Sequence, residues 1–502
     1  MTWPLRRAVQ VAPDRTAVVF EGESFTYAHM WERCRRLAAG LTALGLERGD
    51  RVAVVAQNSH RYLELYQAVP SAGLVLVPLN HRHSDAELRY ALEDSGAKVL
   101  FAARDVASLP ESVEHVLDAA DDHEALLARA EPVADFPSDV GEDDLAGLFY
   151  TGGTTGVSKG VMLRHRSLVS NALQLQAALP FEPETCFLVV APMFHLAGTL
   201  AVLATVWHGG RQVVMPAFDA SALLDLVERE RVTITQVVPS MLAAMCDEQF
   251  ERPRDVSSLR FVTFGGAPSA TETLRRARRA FPGAELATMY GATETAPLVT
   301  TVRHVERLLD GPQARSCGRP MIGVEARIVD PDDRTPVPPG EVGEVAVRGP
   351  NVMLGYWNKP EQTDAVLVDG WYHTGDLGRL DEEGLLYLVD RAKDMIVSGG
   401  ENVYSTEVED VLYRHPAVLE AAVFGIPDER WGEAVHAVVV PRSAVTEAEL
   451  IRHCREAIAG YKVPKRIELR HEALPKSGAG KLLKREVRAP YWDGRESMVS
   501  GA

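Results

Sequence analysis

A chain of 502 residues is too long for one hydrophobic core, so at least two domains are expected. Hydrophobic residues at 46% and charged residues at 25% are ordinary for a globular protein. A formal charge of −17 argues against a nucleic-acid partner, yet a few cations in a cleft could still hold small anions. The five cysteines, Cys34, Cys186, Cys246, Cys317 and Cys454, form no C-x-x-C pair. That argues against a zinc site or disulfide framework and fits a reducing cytoplasm. No apolar stretch of roughly 18 residues suggests a membrane span, and no signal peptide is expected.

In chain order, Ala17–Phe20 reads as a strand and Tyr27–Leu44 as a helix. Arg51–Ala56, Leu74–Leu79 and Lys98–Phe101 read as strands separated by the helical segments Ser59–Ala72 and Asp85–Asp94. This alternation predicts an α/β fold with a largely parallel sheet. Residues 104–142, acidic and alanine-rich with scattered prolines, read as a variable surface connection. The strand rhythm resumes at Leu145–Tyr150, Phe187–Val190, Gln212–Met215, Ile234–Val238, Leu259–Thr263 and Glu285–Met289. From about Ala326 short strands with turn signals predict a β-rich subdomain. A compact α+β unit follows, which places a boundary near Lys393 and gives domains 1–392 and 393–502.

Thr151–Gly156 holds three glycines and three threonines immediately after a strand, and Lys159 lies just beyond. Backbone N–H groups, hydroxyls and one cation in such a loop suit phosphate oxygens. Gly160 after Lys159 breaks the P-loop pattern. Gly156–Gly160 fits G-x-S-x-G, but the apolar Val161-Met162-Leu163 after it reads as a strand, and a nucleophile elbow needs a helix there.

The loop resembles the phosphate-binding signature of the adenylate-forming superfamily, which includes acyl-CoA synthetases, luciferase and peptide-synthetase adenylation domains. In motif style it is most similar to bacterial fatty acyl-CoA synthetases. Gly152 and Ser158 stand where that family usually has serine and proline, so the carry-over rests on Thr151, Thr154, Thr155 and Lys159. Gly265-Gly266-Ala267-Pro268 resembles the segment along adenine, and Tyr290-Gly291-Ala292-Thr293-Glu294 resembles Y-G-x-T-E. The resemblance implies that Tyr290 stacks on adenine, Thr293 meets the α-phosphate and Glu294 holds Mg²⁺. It further implies that Asp376 and Arg391 bind ribose, that Lys393 is a hinge, and that Ser398-Gly399-Gly400-Glu401 faces the pantetheine of coenzyme A. Lys481 would reach the reacting carboxylate; a lone lysine would otherwise read as a solvated cation. Ser405 replaces the family's usual proline.

Pro192–Gly198 resembles the P-x-F-H-x-x-G segment beside the acyl pocket, with His195 at the reacting carbon and Ala197 nearby. Further wall candidates are Val238, Ser240, Met241, Gly265, Gly291 and Val299, apolar or small, with no arginine among them for a second carboxylate. The expected reaction joins a monocarboxylic acid, fatty first and aryl second, to ATP and then to coenzyme A. A carrier-protein thiol is the alternative acceptor. The assembly state is open, a homodimer included, and a non-catalytic binding homologue is disfavoured by the intact set of charged motif residues.

Overall fold

The computed structural model describes residues 1–151, 158–266, 271–304, 311–391, 394–428, 430–476 and 482–492. Thr154, Thr155, Ala267, Pro268, Lys393 and Lys481 therefore lie outside the described residues.

Two large sheets form the body. One runs, edge to edge, through Arg319–Pro320, Thr300–His304, Glu285–Tyr290, Phe261–Gly265, Ile234–Val237, Cys186–Val189, Arg211–Val214, Thr16–Phe20 and Glu23–Thr26. Its centre is parallel, and antiparallel strands close both edges. The other runs through Gly355–Tyr356, Lys159–Arg164, Leu145–Thr151, Val75–Pro78, Arg51–Val55, Val99–Ala102 and His115–Asp118. Val75–Pro78, Val99–Ala102 and Cys186–Val189 are buried at every position, as expected for parallel strands covered on both faces. The helices between them start on side-chain caps: Thr26, Ser59, Ser84 and Asp219 each accept a backbone N–H three residues on.

The β-rich part is a third sheet, Glu325–Val329, Gly343–Arg348, Trp371–Leu380 and Leu367–Val368, with Leu386–Arg391 also paired to Trp371–Leu380. The smaller C-terminal domain has its own sheet of Glu401–Val403, Ile396–Ser398, Gly432–Pro441, Val418–Asp428 and Arg466–Leu469. Helices Ser405–Tyr413 and Glu447–Ala457 cover that sheet around a separate core.

Two segments differ from the sequence expectation. The stretch 104–142 is no plain connection: it contains the strand His115–Asp118 and the helix Asp121–Arg129. That helix docks through a buried charge cluster. Glu64, with no solvent exposure, pairs with Arg33 at 2.6 Å and His123 at 2.7 Å, while Glu124 reaches Arg33 and Arg61 at 2.8 Å. Thr2–Val11 is also a helix, and buries Leu5 and Ala8 in the main core.

Candidate active site

The motif residues collect at the ends of strands, where an open α/β sheet leaves its crevice. Leu145–Thr151 and Lys159–Arg164 are antiparallel neighbours with Thr151 directly opposite Lys159. The Ser158 hydroxyl donates to the Thr151 carbonyl at 2.7 Å. Because a strand follows it, Ser158 has none of the strand-to-helix geometry of a nucleophile elbow.

Lys159 and Glu294 each contact Tyr356, which lies between them. The Lys159 ammonium lies 4.7 Å from the Tyr356 ring centroid, and the Tyr356 hydroxyl donates to Glu294 Oε1 at 2.9 Å. Glu294 sits on the 3-10 turn Thr293–Thr295, whose backbone is fastened by Met353 N–H on the Glu294 carbonyl at 2.8 Å. Asn351 adds a 2.9 Å bond to the Thr295 carbonyl.

A second group forms across the third sheet. Asp376 and Arg391 are register partners on adjacent strands, with Arg391 Nε 3.3 Å from Asp376 Oδ1. The Tyr290 hydroxyl donates to Asp376 Oδ2 at 2.8 Å. Glu344 shapes the turn before Asp376, accepting from Gly375 N–H at 2.8 Å and bonding His373 Nδ1 at 3.0 Å. Tyr372 lies between the two groups. Its hydroxyl is pushed well above the ordinary phenol range by burial first, then by the carboxylates of Glu294 and Asp376 and the phenols of Tyr356 and Tyr290. The Tyr290 phenol is raised likewise, by burial first and then Asp376.

The glycines here are dictated by backbone packing. A methyl on Gly265 would sit 2.3 Å from the Met289 carbonyl oxygen, and one on Gly291 only 1.9 Å from the Pro297 carbonyl oxygen. Gly291 thus faces the Pro297–Val299 backbone. Gly266 has φ of 81°, a left-handed conformation that favours glycine. Val299 is buried, and its N–H donates to the Tyr290 carbonyl at 2.8 Å.

A cavity of about 310 Å³ opens beyond the ends of Cys186–Val189, Arg211–Val214 and Ile234–Val237, with Asn58, Arg82, Pro192, Ser240, Met241 and Lys476 in its wall. Ser240 and Met241 are therefore placed at it as wall residues, whereas Val238 caps the helix Pro239–Glu251 behind them. His195 and Ala197 lie on the segment bordering Pro192; Ala197 is exposed and His195 half-buried. Asn58 holds that segment, donating to the Ala191 carbonyl at 3.1 Å and accepting from Met193 N–H at 2.8 Å. Gly198 is required there, since a methyl on it would meet the Pro192 carbonyl oxygen at 2.6 Å.

The small domain presents Lys476 to this cavity, where Lys476 also pairs with Glu420. Ser398–Glu401 lies on a turn of the small domain's own sheet. There the Gly399 N–H donates to the Trp431 carbonyl at 2.8 Å, and Gly399 and Gly400 have φ of 63° and 85°.

The residues present fit magnesium. Tyr356 occupies Oε1 of Glu294, and Oε2 has no hydrogen bond among the described residues. No cluster of three His, Cys, Asp or Glu occurs among the described residues. A single hard carboxylate oxygen suits an ion bound mainly through phosphates and water.

Residues 5–357 match the AMP-binding enzyme family, and residues 407–481 match the AMP-binding enzyme C-terminal domain. The chain belongs to the AMP-binding enzyme family. It is an adenylate-forming enzyme of the AMP-forming acyl-CoA synthetase class. Among relatives of this family member, a feruloyl-CoA synthase from Amycolatopsis is 44% identical over 98% of both chains. ATP-bound MatB from Rhodopseudomonas palustris is 32% identical, with a TM-score of 0.89 over 98% of this chain and 99% of that one. An O-succinylbenzoate coenzyme A synthetase from Bacillus subtilis, in complex with ATP and magnesium, is also 32% identical; its TM-score is 0.86 over 97% of this chain and 99% of that one. Among the described residues, no helix of this family member is long and apolar enough to cross a membrane.

Sequence reasoning named Lys159, Glu294, Tyr290, Asp376 and Arg391, but missed what joins them. Tyr356, Glu344 and Tyr372 lie outside the residues those motifs name. The available signal for Tyr356 was a tyrosine in Gly355-Tyr356-Trp357, a motif with no charge to draw attention.

Proposed function

We propose that this enzyme condenses a monocarboxylic acid with ATP to an acyl-adenylate, releases pyrophosphate, and then passes the acyl group to coenzyme A. An aryl acid is placed ahead of a fatty acid. The observation that carries the reading is the pairing of two groups, Lys159–Tyr356–Glu294 and Tyr290–Asp376–Arg391, linked through Tyr372. One has the chemistry for phosphates and the other for a ribose. The aryl preference is supported by the 44% identity to a feruloyl-CoA synthase.

In this reading Asp376 accepts hydrogen bonds from the ribose hydroxyls, and Arg391 aims that carboxylate. Tyr290 borders adenine, with Gly265, Gly266, Ala267 and Pro268 allowing close approach of the base. Thr151, Thr154, Thr155 and Lys159 hold the phosphates, and Thr293 meets the α-phosphate. Magnesium, held by Glu294, would neutralise phosphate charge as pyrophosphate leaves. Lys481 stabilises the charge that builds as the carboxylate attacks the α-phosphorus; positioning and cationic stabilisation are the main resources for this step. His195 borders the reacting carbonyl, with Ala197, Ser240 and Met241 around the acid.

Thioester formation needs access for a thiol to the same carbon. We assign the pivot to Lys393, between domains 1–392 and 393–502, so that Ser398–Glu401 replaces the Lys476–Lys481 segment at the cavity. Acid-dependent pyrophosphate release, measured across aryl, fatty and dicarboxylic acids, tests the reaction. Thioester formation is followed with coenzyme A and with a phosphopantetheinylated carrier protein. Fastest release with aryl acids and transfer to coenzyme A are expected. A fatty-acid preference overturns the substrate order, transfer to the carrier protein alone overturns the acceptor, and release independent of acid overturns the reaction.

A further inference from the structure

Tyr356 occupies an unusual position between two opposite charges. Its ring takes the Lys159 ammonium at 4.7 Å, and its hydroxyl takes Glu294 at 2.9 Å. Among the described residues Lys159 forms no ion pair, although Glu294 lies just across the ring. The placement is rigidly specified. Tyr356 is the register partner of Val161, its N–H donates to Thr363 Oγ1 at 2.9 Å, and Trp357 N–H donates to the Gly160 carbonyl at 2.8 Å. Gly355, with φ of 148°, lets the chain turn so that this side chain enters the site. Tyr356 is 6% exposed, and its hydroxyl finds its partners inside the protein, at Glu294 and Tyr372.

We propose that Tyr356 is a positioning residue for the nucleotide: its ring keeps Lys159 and Glu294 apart, and its hydroxyl aims the Glu294 carboxylate for magnesium. The inference rests on the roles given to Lys159 and Glu294 above. Without the ring the two charges would be free to close into a direct pair, which every incoming magnesium nucleotide would then have to break. A cation held on an aromatic face stays available, because the ring quadrupole attracts it without neutralising it.

The test is calorimetric titration of the full chain with ATP, with magnesium and with a chelator, in the absence of any acid. Tyr356→Phe keeps the ring and removes the donor. We expect it to lose about tenfold or more in magnesium-dependent ATP affinity, the scale of one hydrogen bond to a charged acceptor, with metal-free affinity unchanged. Tyr356→Leu should weaken metal-free binding as well, and the double variant Tyr356→Leu, Glu294→Gln should restore it by removing Lys159's alternative partner. Pyrophosphate-release assays should show an increased magnesium requirement for Tyr356→Phe and an unchanged KM for the acid. Equal losses with and without magnesium, or native behaviour of Tyr356→Phe, would overturn the proposal and leave the tyrosine a packing residue. So would failure of the double variant to recover metal-free binding. If the native chain binds ATP but releases no pyrophosphate with any acid, the proposed reaction falls while the calorimetry still decides the role of Tyr356.

Discussion

Gly291→Ala separates two views of the Tyr290–Glu294 segment. By sequence alone Gly291 belongs to the acyl wall, and added bulk should then penalise long or wide acids more than acetate. The structure directs the new methyl elsewhere: 1.9 Å from the Pro297 oxygen, 2.8 Å from its carbonyl carbon and 3.0 Å from Val299 N. All three are backbone atoms, so no side-chain rotation relieves the contact. The far side is fastened as well. Asn351 donates to the carbonyls of Thr295 and Leu298 at 2.9 and 3.0 Å, and Asn171 donates to Leu298 at 2.9 Å. Movement must therefore fall on Tyr290–Glu294. Overpacking of this kind costs about 1–3 kcal/mol. If that strain appears in nucleotide binding, it amounts to a loss of roughly 5- to 150-fold. The assay is ATP titration of pyrophosphate release with acetate and with a bulky acid, alongside a thermal-shift measurement. ATP usage should weaken by the same factor for both acids. A loss confined to the bulky acid, with ATP usage intact, would refute the packing argument and return Gly291 to the acyl wall.

Asp376→Asn keeps the shape that receives Tyr290 but removes the charge facing Arg391, so the KM for ATP should rise about tenfold or more while the acid's KM stays put. Ser405→Pro deletes the N–H that donates to Asp390 at 2.5 Å, a tie between the small domain and the strand Leu386–Arg391. It should slow adenylation relative to transfer from presynthesised adenylate. Ser405→Ala, which loses the 2.6 Å bond from Lys484 but keeps the N–H, should change that ratio less. Glu64→Ala leaves Arg33 and His123 without their shared carboxylate and should cost about 3–5 kcal/mol, read as a lower denaturation midpoint. Burial lowers His304 to about 4, so between pH 6.5 and 4 the unfolded chain binds a proton that the folded chain refuses. Stability should therefore fall as pH drops through that window, by at most about 1.4 kcal/mol per unit from this group, and His304→Gln should flatten the unfolding profile there.

Much of the fold was legible because its strands are buried on both faces and announce themselves as short apolar runs between helical periods. The helix Asp121–Arg129 was missed for a physical reason. It has a well-charged helix, with Asp121, Asp122 and Glu124 in the first turn and Arg129 in the last, but only His123 and Leu127 are buried. A stripe that narrow is hard to distinguish from acidic coil. The partners that fix it, Arg33 and Glu64, lie 59 to 91 residues away. Thr2–Val11 carries an equally weak signal, since only Pro4, Leu5 and Ala8 of its residues are buried.

The site divides along the same line. Residues whose chemistry is carried by their own charge, such as Lys159, Glu294, Asp376 and Arg391, can be named from local motifs. The groups that orient them act across 62 residues for Tyr356 and Glu294, 86 for Tyr290 and Asp376, and 31 for Glu344 and Gly375. Such separations are set by which strands become neighbours. Gly355–Tyr356 is a two-residue strand with little periodicity of its own, and pairing with Lys159–Arg164 is what brings its tyrosine between Lys159 and Glu294. Sheet order therefore supplies a kind of information that a motif lacks. A motif specifies which functional groups are present, while the register of distant strands decides which of them can act on the same substrate.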